Sequence, residues 1–467
     1  CGTKHLGYIN FTILLRTIMK EIIVSIIKIF CIQRLSLLFA VLLRIGIKER
    51  HSNGKDSTIH SKKNNRYTVL ALDSARYRGD LNVLSLDGRL RILHIKQGWL
   101  GVLILSFYSD RIDSIAENQK LLDCHINAFD FSKAVLKHLL TMISVDCVTT
   151  VNNRYLADYP WTLAFESLNI PYVVLYREGL LNFKRIYDLS VHRNKQIGKF
   201  HGRKIIVHNS ITKKMFIESK IVEKDKIIVC GSLRMDSFIK KVNSSLNIKN
   251  NRKIFTLFYF PYDLSLFGRN GKPFNEIYDY SYIVWSGRKV LFRQLHESIL
   301  TMAKNNPDIE FIIKPKREMI ELESWSFYEK VVSESKIVAS NLCNYRVEPD
   351  LDAQQLIFDS DVICALQSST VIESAFAGKR VIFPLLNNYM ETKNFEDFGW
   401  KDSLHLFDVA TSKNEFESII KDGFFNPVVS DDIQKNRIHL FEKYFPSMQG
   451  NIVDCYVDEL CNVIELK

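Results

Sequence analysis

Residues 361–384 read DVICALQSSTVIESAFAGKRVIFP, and this stretch decides the fold. An apolar run of strand length, 362–366, is followed by the small polar residues 367–370. Residues 371–377 then have helical spacing, and 381–383 is a second apolar run. Strand, polar turn, helix and strand in this order predict a parallel βαβ unit.

The polar turn is a candidate ligand site, because ligands of parallel sheets bind beyond the carboxyl ends of the strands. Hydroxyl groups beside unpaired backbone N–H groups and the positive end of a helix dipole favour a phosphate. A carboxylate one turn further along the helix would repel a phosphate, and it is better suited to accept hydrogen bonds from the hydroxyls of a ribose. The alternative is an ordinary βαβ unit whose Ser and Thr side chains cap the helix. The predicted ligand-binding residues of this segment are Gln367, Ser368, Ser369, Thr370 and Glu373.

This segment resembles the donor-binding motif of GT-B glycosyltransferases, particularly the transferase that adds N-acetylglucosamine in peptidoglycan-precursor synthesis. Thr370, Glu373 and Gly378 stand at the spacings of the residues that contact diphosphate and ribose in that family. Ser368 and Ser369 also resemble the serine pair of capsule-polysaccharide and CDP-glycerol polymer transferases. The resemblance implies an α/β GT-B fold, in which two Rossmann-like, doubly wound domains face a cleft. It also implies a nucleotide-sugar donor as substrate and no cofactor.

Composition restricts the class of protein. A chain of 467 residues, 46% hydrophobic and 25% charged, is long enough for two or three globular domains. Residues 1–65 hold eleven Lys and Arg against three acids, so this segment carries most of the net charge of +11. The rest of the chain has no recognisable nucleic-acid-reading motif, and we expect no nucleic-acid partner.

The nine cysteines include no C-x-x-C pair. Several stand in apolar runs, among them Cys147, Cys230 and Cys364. We therefore expect small core residues in a reducing compartment, rather than a disulfide framework or a zinc site. The twelve histidines are dispersed and form no His-Glu-x-x-His motif, so no metal is expected.

The N-terminal segment is apolar and basic. Charged residues interrupt residues 11–47 repeatedly, and the longest uncharged run, 35–43, is too short for a bilayer span of about 20 residues. The pattern predicts amphipathic helices that lie on an anionic membrane surface. The alternative is that these helices pack on the body of the protein. The polar residues 50–66 are predicted to be a linker.

Short apolar strands alternate with helical stretches along the rest of the chain, which predicts parallel, doubly wound sheets. A glycine-containing loop at about 261–273 is a candidate lid. The predicted division is an N-terminal segment and linker (1–65), an acceptor domain (66–245), a donor domain (246–430) and C-terminal helices (431–467). In GT-B proteins, which the chain resembles, a C-terminal helix commonly crosses back to the first domain.

Two strand ends of the first domain carry candidate catalytic bases. Asp73 follows the predicted strand 67–72, and Glu178 follows the strand 172–176. Either carboxylate is suited to deprotonate an acceptor hydroxyl. The alternative for each is that it caps the next helix or pairs with a nearby arginine.

Four further residues are predicted to bind the donor. Gly231 and Arg234 stand in a Gly-x-x-Arg-x-Asp segment that resembles the end of the first domain in capsule-type transferases. Lys314 and Lys316 follow a buried strand, where cations suit a diphosphate. The resembling families have Lys-Pro-His-Pro at this point, and Lys316 replaces the histidine. The alternatives are an Arg234–Asp236 pair and a solvated basic turn.

Taken with these patterns, the resemblance implies a metal-independent glycosyltransferase. It moves a sugar from a nucleotide donor to a growing surface polysaccharide or lipid-linked acceptor, on the cytoplasmic face of the bacterial membrane. Three alternatives stay open: a polyol-phosphate transferase that uses a CDP-polyol, a sugar-nucleotide 2-epimerase, and a non-catalytic binding subunit of the same fold. The segment lacks the Ser-Gly-Gly of the epimerases, which weighs against that reading.

Overall fold

The structure, a computed structural model, describes residues 35–51, 54–57, 66–96, 100–101, 104, 107–108, 122–244, 253–260, 287–320, 323–446 and 451–466. The chain divides into two compact units. Unit 1 comprises Cys1–Leu181, Tyr187–Ser237 and Phe445–Lys467, and unit 2 comprises Asn182–Ile186 and Phe238–Tyr444. The predicted lid and most of the N-terminal segment, residues 11–34, lie outside the described residues.

Unit 1 is built on an eight-stranded sheet of order β2-β1-β4-β3-β5-β6-β7-β8. Six neighbouring strands of this sheet are parallel, namely β4, β3, β5, β6, β7 and β8, whereas β1 is antiparallel to both β2 and β4. Its central strands β5 and β6 are buried at every position, as both faces of a parallel sheet require. The strands are β1 (Ile47–Arg50), β2 (Asp56–Ser57), β3 (Tyr67–Ala71), β4 (Leu90–Ile95), β5 (Cys147–Thr150), β6 (Tyr172–Leu175), β7 (Lys204–Val207) and β8 (Ile227–Val229).

Helices connect most of these strands. One of them, α6, begins at Asn209, whose side chain accepts a hydrogen bond from the backbone N–H of Thr212. The helices are α1 (Ser36–Gly46), α2 (Asp80–Leu84), α3 (Leu122–Met142), α4 (Tyr159–Ser167), α5 (Lys184–Ile197), α6 (Ser210–Ser219) and α7 (Leu233–Ser244). The first residues of α5 and the residues of α7 from Phe238 onward are assigned to unit 2.

Unit 2 is built on a six-stranded parallel sheet of order β11-β10-β9-β12-β13-β14. Counted within the unit, this order is 3-2-1-4-5-6, which is that of Rossmann sheets. The prediction of an α/β protein with two parallel-sheet units is therefore confirmed. The strands are β9 (Lys253–Phe258), β10 (Ile309–Lys314), β11 (Tyr345–Val347), β12 (Val362–Cys364), β13 (Arg380–Pro384) and β14 (Asp408–Ala410).

The helices of unit 2 pack on both the strands and one another. Side-chain caps fix two of them, since Asp352 accepts from the N–H of Gln355 and Ser412 accepts from the N–H of Glu415. The helices are α8 (Gly287–Asn305), α9 (Glu323–Glu334), α10 (Ala353–Asp359), α11 (Thr370–Phe376), α12 (Lys393–Glu396), α13 (Lys413–Phe425) and α14 (Asp431–Tyr444).

The stretch 50–66, predicted to be a linker, contributes Arg50, Asp56 and Ser57 to the unit 1 sheet. Ile47 is buried, and β1 and β2 form an antiparallel edge of the unit 1 sheet. Ion pairs hold this edge, since Arg91 Nη2 lies 2.7 Å from Glu49 Oε2 and Arg50 Nε lies 3.0 Å from Asp56 Oδ1. The sequence prediction was wrong here because charged residues that are paired across strands resemble a solvated linker.

The last helix, α15 (Ile452–Glu465), belongs to unit 1, whereas α14 belongs to unit 2. On α15, Cys455 is joined to Cys230 by a disulfide. Cys230 was expected to be a small core cysteine rather than part of a disulfide framework, and for this residue the expectation was wrong. A separation of 225 residues hides this pair in the sequence, and only the return of the C-terminal helix brings the two thiols together.

No helix among the described residues is both long enough and apolar enough to cross a membrane. Within the N-terminal segment, α1 packs on α3 through one face, with Phe39, Ala40 and Leu43 buried. The ring of Phe39 meets that of Phe131 edge to face, at 5.4 Å between centroids. The packing alternative stated for this segment therefore holds for one side of α1.

Candidate functional site

The carboxyl edge of the unit 1 sheet carries charged residues at the point where the strand order reverses. The first parallel strand, β3, lies between the second, β4, and the third, β5. Such switch points are where open α/β sheets bind ligands. Asp73 follows β3, and Asp158 lies between β5 and α4. The topology therefore places both aspartates at the ligand edge of this sheet.

The turn after β3 has an unusual backbone. The φ angles are 53° at Asp73, 47° at Arg78 and 99° at Gly79. Positive φ is uncommon for residues other than glycine, and observed outliers of this kind cluster at functional sites. A 3₁₀ turn, Ser74–Tyr77, follows Asp73 directly and carries Arg76. The turn thereby sets Asp73 and Arg76 side by side.

Arg76 connects two buried carboxyl groups. Its Nε lies 2.7 Å from Asp73 Oδ2, and its Nη1 donates to Asp158 Oδ2 over 3.0 Å. Its guanidinium carbon is 3.9 Å from the ring centroid of Tyr155, a cation–π distance. Asp73 is 6% exposed and Asp158 is 3% exposed. Within the described residues, the Oδ1 atom of each aspartate accepts no hydrogen bond.

Burial raises the pKa of both aspartates. The pKa of Asp158 rises to about 7 because of burial, which Arg76 opposes and the charge of Asp73 reinforces. The pKa of Asp73 is also raised by burial, against the lowering effects of Arg76 and of a hydrogen bond from the backbone of Ala75. One guanidinium cannot neutralise two carboxylates, so the pair holds a proton most readily on Asp158. A carboxyl that titrates near neutral pH is suited to general acid–base chemistry.

Glu178, the second predicted base, follows β6 and is exposed. Its carboxylate accepts hydrogen bonds from Asn152 Nδ2 at 3.0 Å and from Arg154. The hydroxyl of Tyr155 lies 3.4 Å from the same carboxylate. Because Tyr155 contacts both Glu178 and Arg76, the structure brings the two predicted bases into one network. Glu178 is already ion-paired within it.

A second ion pair borders the cluster. Arg177 Nε lies 3.1 Å from Asp80 Oδ2, and Arg177 Nη1 donates to the carbonyl of Arg76 over 2.9 Å. Burial raises the pKa of Asp80, and the charges of Arg177 and Arg234 oppose the rise. Arg234, which was predicted to bind the donor, therefore acts electrostatically on the Asp80 carboxyl in unit 1.

Gly231 lies against the C-terminal segment of unit 1. Its φ is 86°, and its carbonyl accepts a hydrogen bond from the hydroxyl of Tyr456 at 2.9 Å. A Cβ added here would lie 2.9 Å from the carbonyl oxygen of Pro446 and 3.2 Å from Ile452. The C-terminal segment therefore comes close to the backbone at this glycine.

In unit 2 the strand order reverses between β9 and β12, and the polar turn follows β12. The turn predicted to bind the donor is therefore at the switch point of this sheet. Ser369 precedes α11, and Thr370 is its first residue. The Oγ of Ser368 accepts from the N–H of Thr370 at 3.3 Å and from the Thr370 hydroxyl at 2.9 Å. All three residues are half-buried.

Gln367 supports this turn through a neighbouring loop. Its Nε2 donates to the carbonyl of Asp397 over 2.8 Å, and its Oε1 accepts from the N–H of Gly399 at 3.3 Å. Both ends of the amide are thus bonded to backbone groups. These two bonds hold the loop of Asp397 and Gly399 beside the turn.

Glu373 lies in the first turn of α11 and is 1% exposed. Gln354 Nε2 lies 3.5 Å from its Oε2.

At the end of β10, the ammonium group of Lys314 donates to the carbonyls of Pro315 and Pro349, each at 3.0 Å, and Lys316 is exposed. Across the described residues, no group of three or more His, Cys, Asp or Glu side chains is arranged to hold a metal.

Asp158 and Arg76 were missed by the sequence prediction. Arg76 lies three residues after Asp73, a spacing that the polar turn contains but that many unrelated turns share. Asp158 immediately precedes α4, where an aspartate is ordinarily a helix cap. Its side chain makes no capping hydrogen bond and points its charge at Arg76 instead.

No protein-family model matches the sequence, and no curated protein matches it. Solved structures of similar fold include the UDP-GlcNAc 2-epimerase of Neisseria meningitidis bound to UDP-GlcNAc. It is 14% identical, with 85% of this chain and 100% of that chain covered and a TM-score of 0.47. A putative UDP-N-acetylglucosamine 2-epimerase from Listeria monocytogenes is 11% identical, with 86% and 98% covered and a TM-score of 0.48. A glycosyltransferase from Rickettsia africae is 16% identical, with 86% and 100% covered and a TM-score of 0.43.

Proposed function

We propose that the protein is a GT-B sugar-nucleotide enzyme, and specifically a glycosyltransferase of bacterial surface-polysaccharide synthesis. It transfers a sugar from a nucleotide-activated donor to a hydroxyl of a glycan or lipid-linked acceptor, in the cytoplasm at the inner face of the membrane. Unit 1 supplies acid–base groups and unit 2 binds the nucleotide. The position of both candidate clusters at switch points of parallel sheets supports this division.

One observation carries the proposal, which is the arrangement of Asp73, Arg76 and Asp158. Two carboxyl groups buried at the ligand edge of a sheet cost free energy unless they have a function or a complete set of partners. Here a single arginine serves both of them. The backbone at Asp73 is also held at positive φ. Burial, shared charge and strain coincide at one place, as is typical of active sites.

In the proposed transfer, Asp73 is the base. The acceptor oxygen bonds to the anomeric carbon of the donor sugar while the bond from that carbon to the diphosphate breaks. The acceptor proton passes to the Asp73 carboxylate, and the bonding electron pair leaves on the diphosphate. Arg76 keeps Asp73 ionised and oriented. The protonation state of Asp158 determines how much of the positive charge of Arg76 acts on Asp73. Glu178 is the alternative base, but its ion pair with Arg154 makes it the weaker candidate.

At the donor end, the leaving diphosphate requires hydrogen-bond donors and positive charge. The hydroxyls of Ser368 and Thr370, the backbone at Ser369 and the exposed ammonium of Lys316 supply these in unit 2. Glu373 accepts the hydroxyls of the ribose. The linked Ser368–Thr370 pair supports this assignment because it fixes both hydroxyls at the start of α11.

A second function, epimerisation of the donor sugar at C2, is favoured by the unequal pair of carboxyls. An epimerase removes a proton from one face of a carbon and returns a proton to the other, which needs one ionised and one protonated group. With Asp158 titrating near 7 beside Asp73, the cluster contains both. The absence of the epimerase Ser-Gly-Gly segment is the reason that this function stands second.

The two functions separate in one experiment. The purified protein is first tested for thermal stabilisation by UDP, GDP, CDP, CMP, dTDP and ATP, since a ligand at 100 times its Kd stabilises by about 2.7 kcal/mol. Sugar conjugates of the nucleotide that stabilises the protein are then incubated with the protein in D₂O. Deuterium at C2 indicates epimerisation. Nucleoside diphosphate release that requires an added glycan or lipid-linked acceptor, without deuterium at C2, is the result expected for a transferase.

If no nucleotide stabilises the protein, the proposed donor site is wrong. Asp73→Asn is the matched control, because it removes the base without touching the unit 2 turn. It should keep nucleotide stabilisation and lose turnover.

A further inference from the structure

Helix α1 has two unlike sides. One side is seated on α3, where Ala40 and Leu43 are fully buried. The other side exposes large aliphatic side chains at intervals of three and four residues, which places them on one stripe. Their exposures are Leu37 53%, Leu38 52%, Val41 39%, Leu42 38% and Ile45 62%. We call these five residues the α1 face.

The α1 face is unusual for a surface exposed to water. Single exposed aliphatic residues are ordinary, but a continuous stripe marks a contact surface. Five large aliphatic side chains on a helix of eleven residues make such a stripe. Because the opposite side of α1 is packed on α3, the stripe faces away from this contact, and the described residues of unit 1 leave it exposed.

Charge identifies the occupant. No acid occurs from Leu35 to Lys48, while Arg44 and Lys48 flank the stripe. The preceding residues 1–34 hold five Lys and Arg against one Glu. A second copy of the chain would bring an equally basic segment against this one, and the like charges would repel. An anionic bilayer offers both an apolar layer and the opposite charge.

Length determines how the helix meets the bilayer. Eleven residues of α-helix measure roughly 16 Å, about half of the 30 Å hydrocarbon core. Since its inner side stays packed on α3, α1 lies parallel to the surface. We propose that the α1 face is a membrane-docking surface that inserts into the interfacial layer of an anionic bilayer and holds unit 1 against it. This inference rests on the α1 face and not on the proposed reaction, and its test measures lipid binding without turnover.

The test uses the full chain and sedimentation with vesicles of phosphatidylcholine, with or without phosphatidylglycerol. The variant Leu38→Gln, Leu42→Gln, Ile45→Gln removes the apolar stripe without changing charge. Glutamine is a good helix former, so α1 should persist, and unchanged circular dichroism verifies this. The matched control is Phe425→Gln, Val428→Gln, since these residues are 78% and 86% exposed on unit 2.

The wild-type chain should bind anionic vesicles more tightly than neutral ones. The triple variant should bind anionic vesicles about tenfold or more weakly, because each inserted aliphatic side chain contributes to binding. The control should bind like the wild type. Equal binding by wild type and triple variant overturns the inference, and so does no binding by the wild type. A wild-type dimer that the triple variant abolishes, without vesicle binding, also overturns it, in favour of self-association.

Discussion

Arg76 donates through Nη1 to Oδ2 of Asp158 over 3.0 Å, although 82 residues separate them in the sequence. The contact joins the turn after β3 to the segment that follows β5, across the switch point of the unit 1 sheet. It gives Asp158 a cationic partner yet leaves it buried enough for its pKa to rise to about 7. The pair is therefore sensitive to pH in a range where ordinary aspartates are not.

The stability of unit 1 should fall as the pH rises from about 4 to 7. In this range the folded chain holds a proton on Asp158 that the unfolded chain has lost, so folding takes up a proton and is favoured by acid. Asp158→Asn should remove this dependence, since asparagine is always neutral. The difference in the free energy of unfolding between variant and wild type should grow by up to about 4 kcal/mol across the range.

Thermal unfolding from pH 4 to 8 checks this prediction. Asp225→Asn is the control, because Asp225 is exposed and lies in the same unit. Parallel pH curves for Asp158→Asn and the wild type would show that Asp158 does not hold the proton.

The hydroxyl pair of unit 2 should contribute to nucleotide affinity. Ser368→Ala and Thr370→Val should each weaken binding by about 1.5–3 kcal/mol, the range for a hydrogen bond to a charged group. Ser374→Ala is the control, because it removes a buried hydroxyl from the same helix. Calorimetric titration with the nucleotide that stabilises the protein measures all three. If Ser374→Ala weakens binding as much as the other two, the effect lies in the helix and not in the turn.

Substitution of Glu373 should weaken the binding of a nucleotide but not the binding of diphosphate alone. Glu373→Gln keeps the shape of the side chain but makes it a poorer acceptor for ribose hydroxyls, so nucleotide affinity should fall by about 1.5–3 kcal/mol. Affinity for inorganic diphosphate should stay the same or increase, because a nearby negative charge has been removed. Competition binding with both ligands tests this. Equal losses for nucleotide and diphosphate would place Glu373 outside the ribose site.

The contact between Gly231 and the C-terminal segment should support stability. Gly231→Ala forces a Cβ to within 2.9 Å of the Pro446 carbonyl, at a φ of 86°. Gly378→Ala is the control, since Gly378 has a φ of 73° and no atom lies within 4 Å of an added Cβ. Both variants should lose about 1 kcal/mol or more from backbone strain. Gly231→Ala should lose clearly more, as measured by denaturant unfolding, and equal losses would show that the C-terminal segment moves aside easily.

Much of the fold could be predicted from the sequence because hydrophobic runs record burial directly. The strand predicted at 172–176 exceeds β6 by one residue, and the helix predicted at 371–377 differs from α11 by one residue at each end. The edge strands β1 and β2 could not be predicted. Their charged residues are satisfied by partners on other strands, which a linear pattern does not show.

The site was only partly predictable for a similar reason. Residues at strand ends, such as Asp73 and Thr370, are visible because the ligand edge of a parallel sheet follows from the strand direction. The role of Asp158 depends on Arg76, and the role of Gly231 depends on Tyr456, which is 225 residues away. Such contacts can be recognised only when the strand order and the helix packing are known.

The most direct test of the account compares Asp73→Asn with Glu178→Gln in the release of nucleoside diphosphate from the responding donor. Loss of a general base typically costs about 10²–10⁴ in rate. We predict a loss of this size for Asp73→Asn with unchanged nucleotide affinity, and less than about tenfold for Glu178→Gln, which is already ion-paired. Turnover of Asp73→Asn within a few-fold of the wild type would contradict the assignment of the Asp73, Arg76 and Asp158 cluster as the catalytic centre.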